Sequence, residues 1–375
     1  MTLLLLDYFT GWLQTLSPRK LRGIALGILL APLFAEAHCL DQERLTGVNL
    51  SGAEFNSSKL PGTPYKDYTF PTDSELTYIA AQGANVIRVP FRWERIQNEA
   101  MGALNAAELK RLQVTVNAAS SKGLCVVLDI HNYAKYFGQA LAGDSNLQNA
   151  LVDVWLRLAV VFNDPKQTAF GLMNEPNYMS LEEWATLSKR IVTELRNADA
   201  NHLILVAGGH WSGLHDWFSP AKGPSNSTLF ADFKDPLKRT LLEVHQYADK
   251  DYSGTGNTCR AVDQFDPLFN KLTDWANVNG QQLFLGEFGM PQTPECLAVL
   301  ERFLSLMNGT VWKGWTYWAA GGWWGKYPLA LNTSITEPST QWPILKKYFY
   351  NPAVPTKKSP PSPPTPRLPK QRHSF

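Results

Sequence analysis

Short apolar runs recur along the chain from residue 45 to residue 318, and they constrain the fold more than any other feature. Each run has four to seven residues and is rich in β-branched and other apolar side chains. The eight runs are 45–50, 85–91, 124–130, 169–173, 202–207, 240–244, 283–286 and 314–318. Near-continuous apolar strands are typical of a parallel sheet with both faces covered, so we expect such a sheet.

Amphipathic stretches separate most of these runs, and their periodicity indicates helices. The clearest are 74–82, 106–122, 181–197 and 268–277. Eight strands that alternate with helices over about 300 residues predict an α/β protein with a single (β/α)8 TIM barrel. A doubly wound open sheet is the alternative, but no glycine-rich phosphate loop follows the first run. We therefore favour the barrel.

The amino-terminal segment has the pattern of a secretory leader. Basic residues at 19, 20 and 22 precede the apolar run 23–34 and the small-residue site 35–37, which is the order found in signal peptides. The apolar run is too short, and too interrupted by Pro32, to span a bilayer of ~30 Å. We predict an unusually long leader at 1–37 and a secreted, extracellular protein that is not embedded in a membrane.

The carboxy-terminal segment 351–375 contains eight prolines, five basic residues and no acidic residue. Such a segment cannot bury a core, so we predict a disordered tail or an extended linker. The predicted barrel domain, 38–350, carries 27 Lys and Arg against 31 Asp and Glu. This mildly acidic balance lacks the basic footprint of a nucleic-acid-binding protein. We expect a monomer.

Four cysteines remain for the barrel: Cys39, Cys125, Cys259 and Cys296. They lack the close paired spacing of a zinc site, whereas export permits disulfides. Cys259 and Cys296 both fall in loop-like stretches, and we predict that they pair. Cys125 lies within an apolar run, which favours a buried free thiol over a bridge to Cys39.

Polar and aromatic residues collect at the carboxyl end of nearly every run. They are Asn49, Arg88, His131, Asn174, Glu175, His210, Trp211, His245, Tyr247, Glu287 and Trp318. In a barrel these ends open on one face, which is where active sites lie. One such residue is usually a strand terminator that meets a loop, but so many together predict a functional site.

Two glutamates, Glu175 and Glu287, follow the fourth and seventh runs and would face each other across the barrel mouth. Cleavage of a glycosidic bond needs such a pair, an acid for the leaving oxygen and a carboxylate on the other side. Pro176 restricts the backbone just after Glu175. Gly286 and Gly289 flank the second glutamate, and we expect them to leave room for a ligand.

The sequence resembles glycoside hydrolase family 5, the large cellulase family of clan A. The matching stretches occur in the family's order and lie within residues 40–350. They are NVIRVPF at 85–91, DIHN at 129–132, MNEP at 173–176, VHQY at 244–247, GEFG at 286–289 and YW at 317–318. The resemblance implies a (β/α)8 hydrolase that needs no metal or other cofactor.

The resemblance also implies roles for individual residues. Glu175 would be the acid/base and Glu287 the nucleophile of a retaining double displacement. Arg88 would hold Glu287 ionised, and Asn174 would bind the 2-hydroxyl of the sugar. The remaining supporting residues would be His131, His245 and Tyr247, which position the sugar, and Trp318, which stacks on it. Retention requires the two carboxyl groups to lie ~5 Å apart.

Alternatives remain for several of these residues. Arg88 could form a purely structural ion pair, and His131 and His245 could be core histidines with satisfied hydrogen bonds. Trp211 is a weaker candidate for sugar contact than Trp318, and Trp323 and Trp324 could either line the groove or pack on the barrel. A zinc site formed by His131, His210 and His245 is a further, less favoured alternative.

The predicted substrate is a β-1,4-glucan such as cellulose, cut internally by a secreted endo-β-1,4-glucanase. Family members differ in substrate through their loops, so a mannan or mixed-linkage glucan hydrolase is the first alternative. A non-catalytic carbohydrate-binding barrel and a metal-dependent barrel hydrolase are alternatives from other classes. The presence of both glutamates and Asn174 argues against a non-catalytic barrel.

Overall fold

A computed structural model of the protein describes residues 39–220, 223–307, 309–333 and 336–351. The predicted leader lies outside the described residues, and so does the proline-rich tail after Asn351. The limits of the three predicted segments therefore stay predictions.

Eight parallel strands form a closed barrel, which confirms the predicted fold. In chain order they are β1 (Leu45–Leu50), β2 (Val86–Phe91), β3 (Cys125–Ile130), β4 (Thr168–Gly171), β5 (Leu203–Ala207), β6 (Thr240–His245), β7 (Leu283–Glu287) and β8 (Trp312–Ala320). Each strand pairs with the next, and β8 pairs with β1 to close the barrel. All eight overlap the predicted runs and differ from them by at most two residues at either end.

Helices lie between successive strands, and a last helix follows β8. They are Asp73–Ala81, Trp93–Ile96, Ala106–Ser120, Ser145–Val161, Leu181–Asn197, Asn226–Leu229, Asp266–Asn279, Pro294–Leu306 and Trp342–Lys346. A two-stranded hairpin, Lys135–Tyr136 with Gln139–Ala140, lies in the loop after β3. Capping boxes begin two of the helices, with Thr72 paired to Glu75 and Ser180 paired to Glu183. Among the described residues no helix is long and apolar enough to cross a membrane.

The alternation of side chains along the strands divides the core into two parts. Inward-facing residues fill the amino-terminal half of the barrel, and they form a cluster of their own: Cys39, Leu45, Val86, Cys125, Val127, Ala169, Leu203, Leu205, Leu241 and Phe284. The intervening residues of the same strands, such as Val126 and Leu242, belong to the larger layer between barrel and helices. Both faces of every strand are therefore covered, which explains the near-continuous apolar runs.

The disulfides correct one prediction about the cysteines. Cys259 and Cys296 are bonded, as predicted, although Cys296 lies in the helix Pro294–Leu306 and not in a loop. The prediction that Cys125 is a free thiol was wrong, because it is bonded to Cys39. The chain before β1 folds under the barrel, where the Cys39 amide donates to the carbonyl oxygen of Lys166 at 2.7 Å. This fold-back brings Cys39 to the inward side of β3.

Candidate active site

Glu287, the last residue of β7, has a hydrogen-bond donor on each carboxylate oxygen. Arg88 Nη1 donates to Oε1 at 2.9 Å, and the Tyr247 hydroxyl donates to Oε2 at 2.8 Å. The side chain is buried. One of the two donors is a cation, and charge-assisted bonds of this kind are stronger than neutral ones. The carboxylate is thereby fixed in one orientation.

Arg88 connects Glu287 to two further buried acids. Its Nη2 lies 3.1 Å from Asp129 Oδ1 and 3.2 Å from Glu243 Oε1, and it donates to Asn174 Oδ1 at 2.8 Å. Burial alone would lower the pKa of Arg88, but Asp129, Glu243 and Glu287 outweigh it and raise the pKa. The guanidinium is therefore a permanent cation, and it is both an ion pair of the barrel and a neighbour of Glu287.

Glu175 follows β4 and has a left-handed backbone conformation, with φ of 44°. Residues other than glycine seldom adopt this conformation, which costs roughly 1–2 kcal/mol. Its Oε1 lies 2.8 Å from His245 Nδ1. Burial raises the pKa of Glu175; the hydrogen bond from His245 opposes this rise, and the charge of Glu287 adds to it. A carboxyl group with a raised pKa can hold a proton near neutral pH.

His245 links Glu175 to a third acid, because its Nε2 lies 3.1 Å from Glu243 Oε1. Burial opposes protonation of the ring, but Glu287, Glu175 and Glu243 together raise the pKa of His245 to about 10. The ring is therefore an imidazolium at neutral pH and donates from both nitrogens. Burial would raise the pKa of Glu243, but Arg88 and His245 lower it, so Glu243 is their ionised partner.

The two glutamates of the predicted pair lie close together. One carboxylate oxygen of Glu175, one of Glu287 and one ring nitrogen of His245 all lie within 4.8 Å of one another. Within the part of the chain that the structure describes, these three residues form the group of potential metal ligands that lie close enough together to hold an ion. The histidine trio of the zinc alternative is not brought together; His210 Nδ1 instead lies 2.9 Å from Asp216 Oδ2.

His131 is a neutral histidine with three hydrogen-bond partners. Its Nδ1 lies 2.8 Å from Asp129 Oδ2, and its Nε2 lies 3.2 Å from both Asn174 Nδ2 and the Tyr133 hydroxyl. Burial lowers the pKa of His131 well below its usual value, although Glu287 opposes the shift. The partners assign the proton to Nδ1 and leave Nε2 as an acceptor. The ring therefore orients the amide of Asn174.

Trp318 lies beside these groups near the end of β8, and its peptide bond to Ala319 is cis. Its ring stacks on His131 with 5.4 Å between centroids and 15° between planes. Trp324 packs edge-on against Trp318 and stacks on Tyr327. Trp318 is therefore held in place by ring contacts with His131 and Trp324.

The remaining tryptophans that the sequence offered as ligand contacts fall into two groups. Trp211 and Trp323 are 41% and 43% exposed and are free to contact a ligand. Trp211 lies 5.8 Å from the Tyr133 ring and 6.2 Å from the Tyr178 ring, so it stands at the edge of the site. Trp324, by contrast, packs against the protein, so the structure separates two tryptophans that the sequence left equivalent.

The expectation that Gly286 and Gly289 leave room for a ligand was wrong. A Cβ atom on Gly286 would lie 1.9 Å from Glu243 Oε1, and one on Gly289 would lie 2.2 Å from the carbonyl oxygen of Trp318. Protein atoms fill both spaces. The glycines matter because they let Glu243 and the backbone of Trp318 approach β7.

Sequence reasoning did not single out three residues of this network: Asp129, Glu243 and Tyr133. A signal was present for the two acids, since each is a charged residue inside an apolar run, two positions before a histidine. Side chains two apart on a strand share a face, so Asp129 shares a face with His131, and Glu243 with His245. No comparable pattern marks Tyr133, which lies in a loop.

Comparisons with known proteins agree with this geometry. The family described as cellulase (glycosyl hydrolase family 5) matches residues 48–321. Endo-beta-1,4-glucanase B of Aspergillus niger is 32% identical over 288 residues, which are 76% of this chain and 84% of that relative.

Two solved structures superpose over most of the chain. The structure of XacCel5A in complex with cellopentaose is 44% identical with a TM-score of 0.79, and the match covers 81% of this chain and 99% of that one. The structure of Pseudomonas stutzeri endoglucanase Cel5A in complex with cellobiose is 30% identical with a TM-score of 0.73, covering 84% and 96%. With this sequence match, this barrel and two close glutamates at its mouth, the chain belongs to glycosyl hydrolase family 5, the cellulase family, and is a glycoside hydrolase.

Proposed function

We propose that the protein is a retaining endo-β-1,4-glucanase that hydrolyses internal bonds of a cellulose-like polymer by double displacement. The observation that carries this proposal is the 4.8 Å limit on the separation of the nearest oxygens of Glu175 and Glu287. Retaining glycosidases place their two carboxyl groups ~5–5.5 Å apart, whereas inverting enzymes need ~6.5–9.5 Å to admit a water.

Glu287 is the proposed nucleophile. One of its oxygens would attack the anomeric carbon as the bond from that carbon to the leaving oxygen breaks, forming a covalent glycosyl-enzyme. Arg88 and Tyr247 supply donors to the two oxygens of Glu287. We expect these contacts to orient the attacking oxygen and to stabilise the carboxylate when water later releases the sugar.

Glu175 is the proposed acid/base. Its raised pKa keeps a proton available for the leaving oxygen in the first step. In the second step the same group, now ionised, takes a proton from the attacking water. His245 contacts Glu175 at 2.8 Å and stabilises the ionised form that exists between the two steps.

Asn174, His131 and Trp318 are the proposed sugar-binding groups. Asn174 Oδ1 accepts from Arg88 and one Nδ2 hydrogen is directed to His131, so the second hydrogen is available to the sugar 2-hydroxyl. Hydrogen bonds to this hydroxyl strengthen in the transition state. Trp318 offers an aromatic face for the apolar face of the same sugar.

The substrate class follows from the relatives. The Aspergillus niger relative is named for β-1,4-glucan, and the two solved structures hold cellopentaose and cellobiose. We propose that this chain takes the same β-1,4-glucan, and that mannan and mixed-linkage glucan are poorer substrates.

The first test is turnover of carboxymethylcellulose by the wild-type protein beside Glu175→Gln and Glu287→Gln. We expect activity in the wild type and losses of several orders of magnitude in both variants. NMR of the first products should show the β-anomer before mutarotation. An α-anomer as first product would contradict retention, and full activity in either variant would refute its assigned role. Preferential cleavage of mannan would keep the mechanism and refute the substrate.

A second test separates the two roles. A cellobioside with a 2,4-dinitrophenyl leaving group departs without protonation, so it bypasses the acid but not the nucleophile. Glu175→Gln should therefore retain rapid release of the first equivalent of dinitrophenol, whereas Glu287→Gln should lose it. The opposite result would exchange the two roles.

We also propose that the protein is exported and acts as a monomer outside the cell. Two disulfides support export, because such bonds persist in oxidising compartments. Amino-terminal sequencing of protein recovered from the culture medium should begin near residue 38. Size-exclusion chromatography should give the mass of one chain, and a larger mass would refute the monomer.

A further inference from the structure

We propose that Asp249 is a positioning residue for the reaction: it clamps the loop 249–256 so that Gly254 supports the ring of Tyr247, which donates to Glu287. This inference rests on the proposed role of Glu287 as the nucleophile. Asp249 lies just beyond β6, does not contact Glu287 itself and would act through Tyr247.

Asp249 binds the loop from within. Its Oδ1 accepts from the amide of Gly254 at 3.0 Å, and its Oδ2 accepts from the amide of Gly256 at 3.1 Å and from Ser253 Oγ at 2.7 Å. The side chain is only 6% exposed. Three donors on one buried carboxylate are a strong local constraint, because charge-assisted bonds are about twice as strong as neutral ones.

Gly254 is the point where the loop touches Tyr247. Its φ is +71°, and a Cβ atom there would lie 2.6 Å from Tyr247 Cε1 and 2.7 Å from Cδ1. The backbone of Gly254 therefore lies in close contact with the tyrosine ring, with no room for a side chain between them. A shift of this backbone by a few tenths of an ångström would either push the ring or remove its support.

A second hydrogen bond holds Gly254 through its carbonyl oxygen. The hydroxyl of Tyr327, in the loop after β8, donates to the carbonyl oxygen of Gly254 at 2.8 Å. Tyr327 packs with Trp324 against a small buried cluster that includes Tyr247 and Trp318. Asp249 thus fixes the amide of Gly254, and Tyr327 fixes its carbonyl.

The consequence reaches Glu287 through the 2.8 Å bond from the Tyr247 hydroxyl to Oε2. A displaced ring would lengthen this bond and remove a donor that favours the ionised carboxylate. The attacking carboxylate would then be less well oriented, so kcat should fall while KM stays close to the wild-type value. A residue that acted only on folding would lower the Tm and leave kcat unchanged at temperatures well below the Tm.

The test compares Asp249→Asn with Asp251→Asn, the same change at an exposed position of the same loop. The amide at 249 keeps one acceptor and presents an N–H to a backbone N–H. With 4-nitrophenyl β-cellotrioside as substrate, we expect Asp249→Asn to lower kcat about tenfold, the range of a lost hydrogen bond, and to leave KM within about twofold of the wild-type value. Asp251→Asn should match the wild type.

A double-mutant cycle decides whether Asp249 acts through Tyr247. Once Tyr247→Phe has removed the hydroxyl, Asp249→Asn should change kcat by less than about twofold. Equal losses of kcat in the two backgrounds, or a fall in Tm with an unchanged kcat well below the Tm, would overturn the inference. If Asp249→Asn does not fold, Tyr327→Phe tests the same point through the Gly254 carbonyl and should also lower kcat at an unchanged KM. Failure of the proposed function would look different, because Glu287→Gln would then remain active.

Discussion

The two halves of the barrel interior are lined by the same strands, but one half is apolar and the other is charged. The amino-terminal half is an apolar layer that contains Val127 of β3 and Leu241 of β6. Two residues further along the same strands are Asp129 and Glu243, which are equally buried but charged. One side-chain step along the strands thus separates hydrocarbon packing from an ionic network.

The difference shows what each half requires of its residues. An apolar layer needs the right volume and no partners, whereas a buried charge is costly unless it is paired. In the carboxy-terminal half, two buried cations, Arg88 and His245, contact four acids: Asp129, Glu175, Glu243 and Glu287. Burial raises the pKa of two of these acids, Glu175 and Asp129, so that both can hold protons. The network therefore contains a proton-bearing acid for chemistry because burial outweighs the neighbouring cations at these two groups.

The largest effect should come from Arg88→Met, which leaves several buried acids without their cation. Removal of one partner from a buried ion pair costs ~3–5 kcal/mol, and we also expect more than a thousandfold loss of kcat/KM. The matched change in the apolar layer is Val86→Ala, two residues earlier on β2. It should cost about 2 kcal/mol and leave kcat unchanged. Urea unfolding and turnover at 25 °C measure both effects. An Arg88→Met protein as stable as Val86→Ala would contradict the comparison.

The disulfides give the next largest effect, and they separate stability from activity. Replacing Cys39 and Cys125 by alanine opens a loop of 86 residues, for which chain entropy predicts a loss of about 4–5 kcal/mol. Replacing Cys259 and Cys296 opens 37 residues and should cost about 4 kcal/mol. We expect only the second pair to lower kcat, since Cys259 follows the loop that supports Tyr247. Equal kcat values for the two variants, measured well below their Tm, would refute this distinction.

A smaller and pH-dependent effect should come from Glu54→Gln at the mouth. Burial raises the pKa of Glu54 to about 7, although a hydrogen bond from the Gly52 amide opposes this. A raised folded-state pKa adds stability that is fully present below about pH 4.5 and is lost as the pH rises through about 7. The Tm of the variant should therefore fall less than the Tm of the wild type as the pH rises from 5 to 8. The difference should correspond to at most about 3 kcal/mol.

The matched control for this measurement is Glu182→Gln, an exposed residue in the first turn of a helix. It should reproduce the wild-type dependence on pH. Parallel Tm curves for the wild type and Glu54→Gln would show that Glu54 is ionised in the folded protein throughout this range.

The smallest effect should come from the rim of the mouth. Trp211 is exposed and lies one ring away from Tyr133, whose hydroxyl contacts His131. Trp211→Ala should raise KM for cellopentaose about threefold to tenfold at unchanged kcat, because one aromatic contact contributes ~0.5–1.5 kcal/mol. Trp323 is about as exposed as Trp211, so Trp323→Ala serves as the matched variant. We expect it to raise KM less than Trp211→Ala does. A larger increase in KM for Trp323→Ala than for Trp211→Ala would show that Trp323, and not Trp211, is the main ligand contact at the rim.

Much of the fold could be predicted because each strand is buried on two faces. A continuous apolar run bounded by polar residues marks such a strand directly, and β1 and β5 agree with their predicted limits within one residue. The prediction of β8 was the least accurate, since Lys313 interrupts the apolar start of the strand and the strand extends to Ala320. There the pairing with β1 and β7, and not the residue pattern, decides where the strand begins and ends.

The disulfide of Cys39 and the roles of Gly286 and Gly289 could not be predicted for a different reason. Both depend on which chain segment approaches a given residue from outside its own strand. Cys39 is 86 residues from its partner, and the oxygen that fills the space at Gly286 belongs to Glu243 on the neighbouring strand. Local pattern carries no information about such approaches.

The sequence by itself determined the alternation of strands and helices, the polar ends of the strands and the presence of two glutamates at those ends. These properties follow from side-chain periodicity and from the rule that the carboxyl ends of parallel strands open on one face. Only the tertiary structure decided that Arg88 and His245 are shared among four acids, that Gly254 supports Tyr247 and that Glu175 has a raised pKa. Those properties depend on distances of a few ångströms between residues up to 199 positions apart in the chain, and charge interactions in a buried site change steeply over such distances.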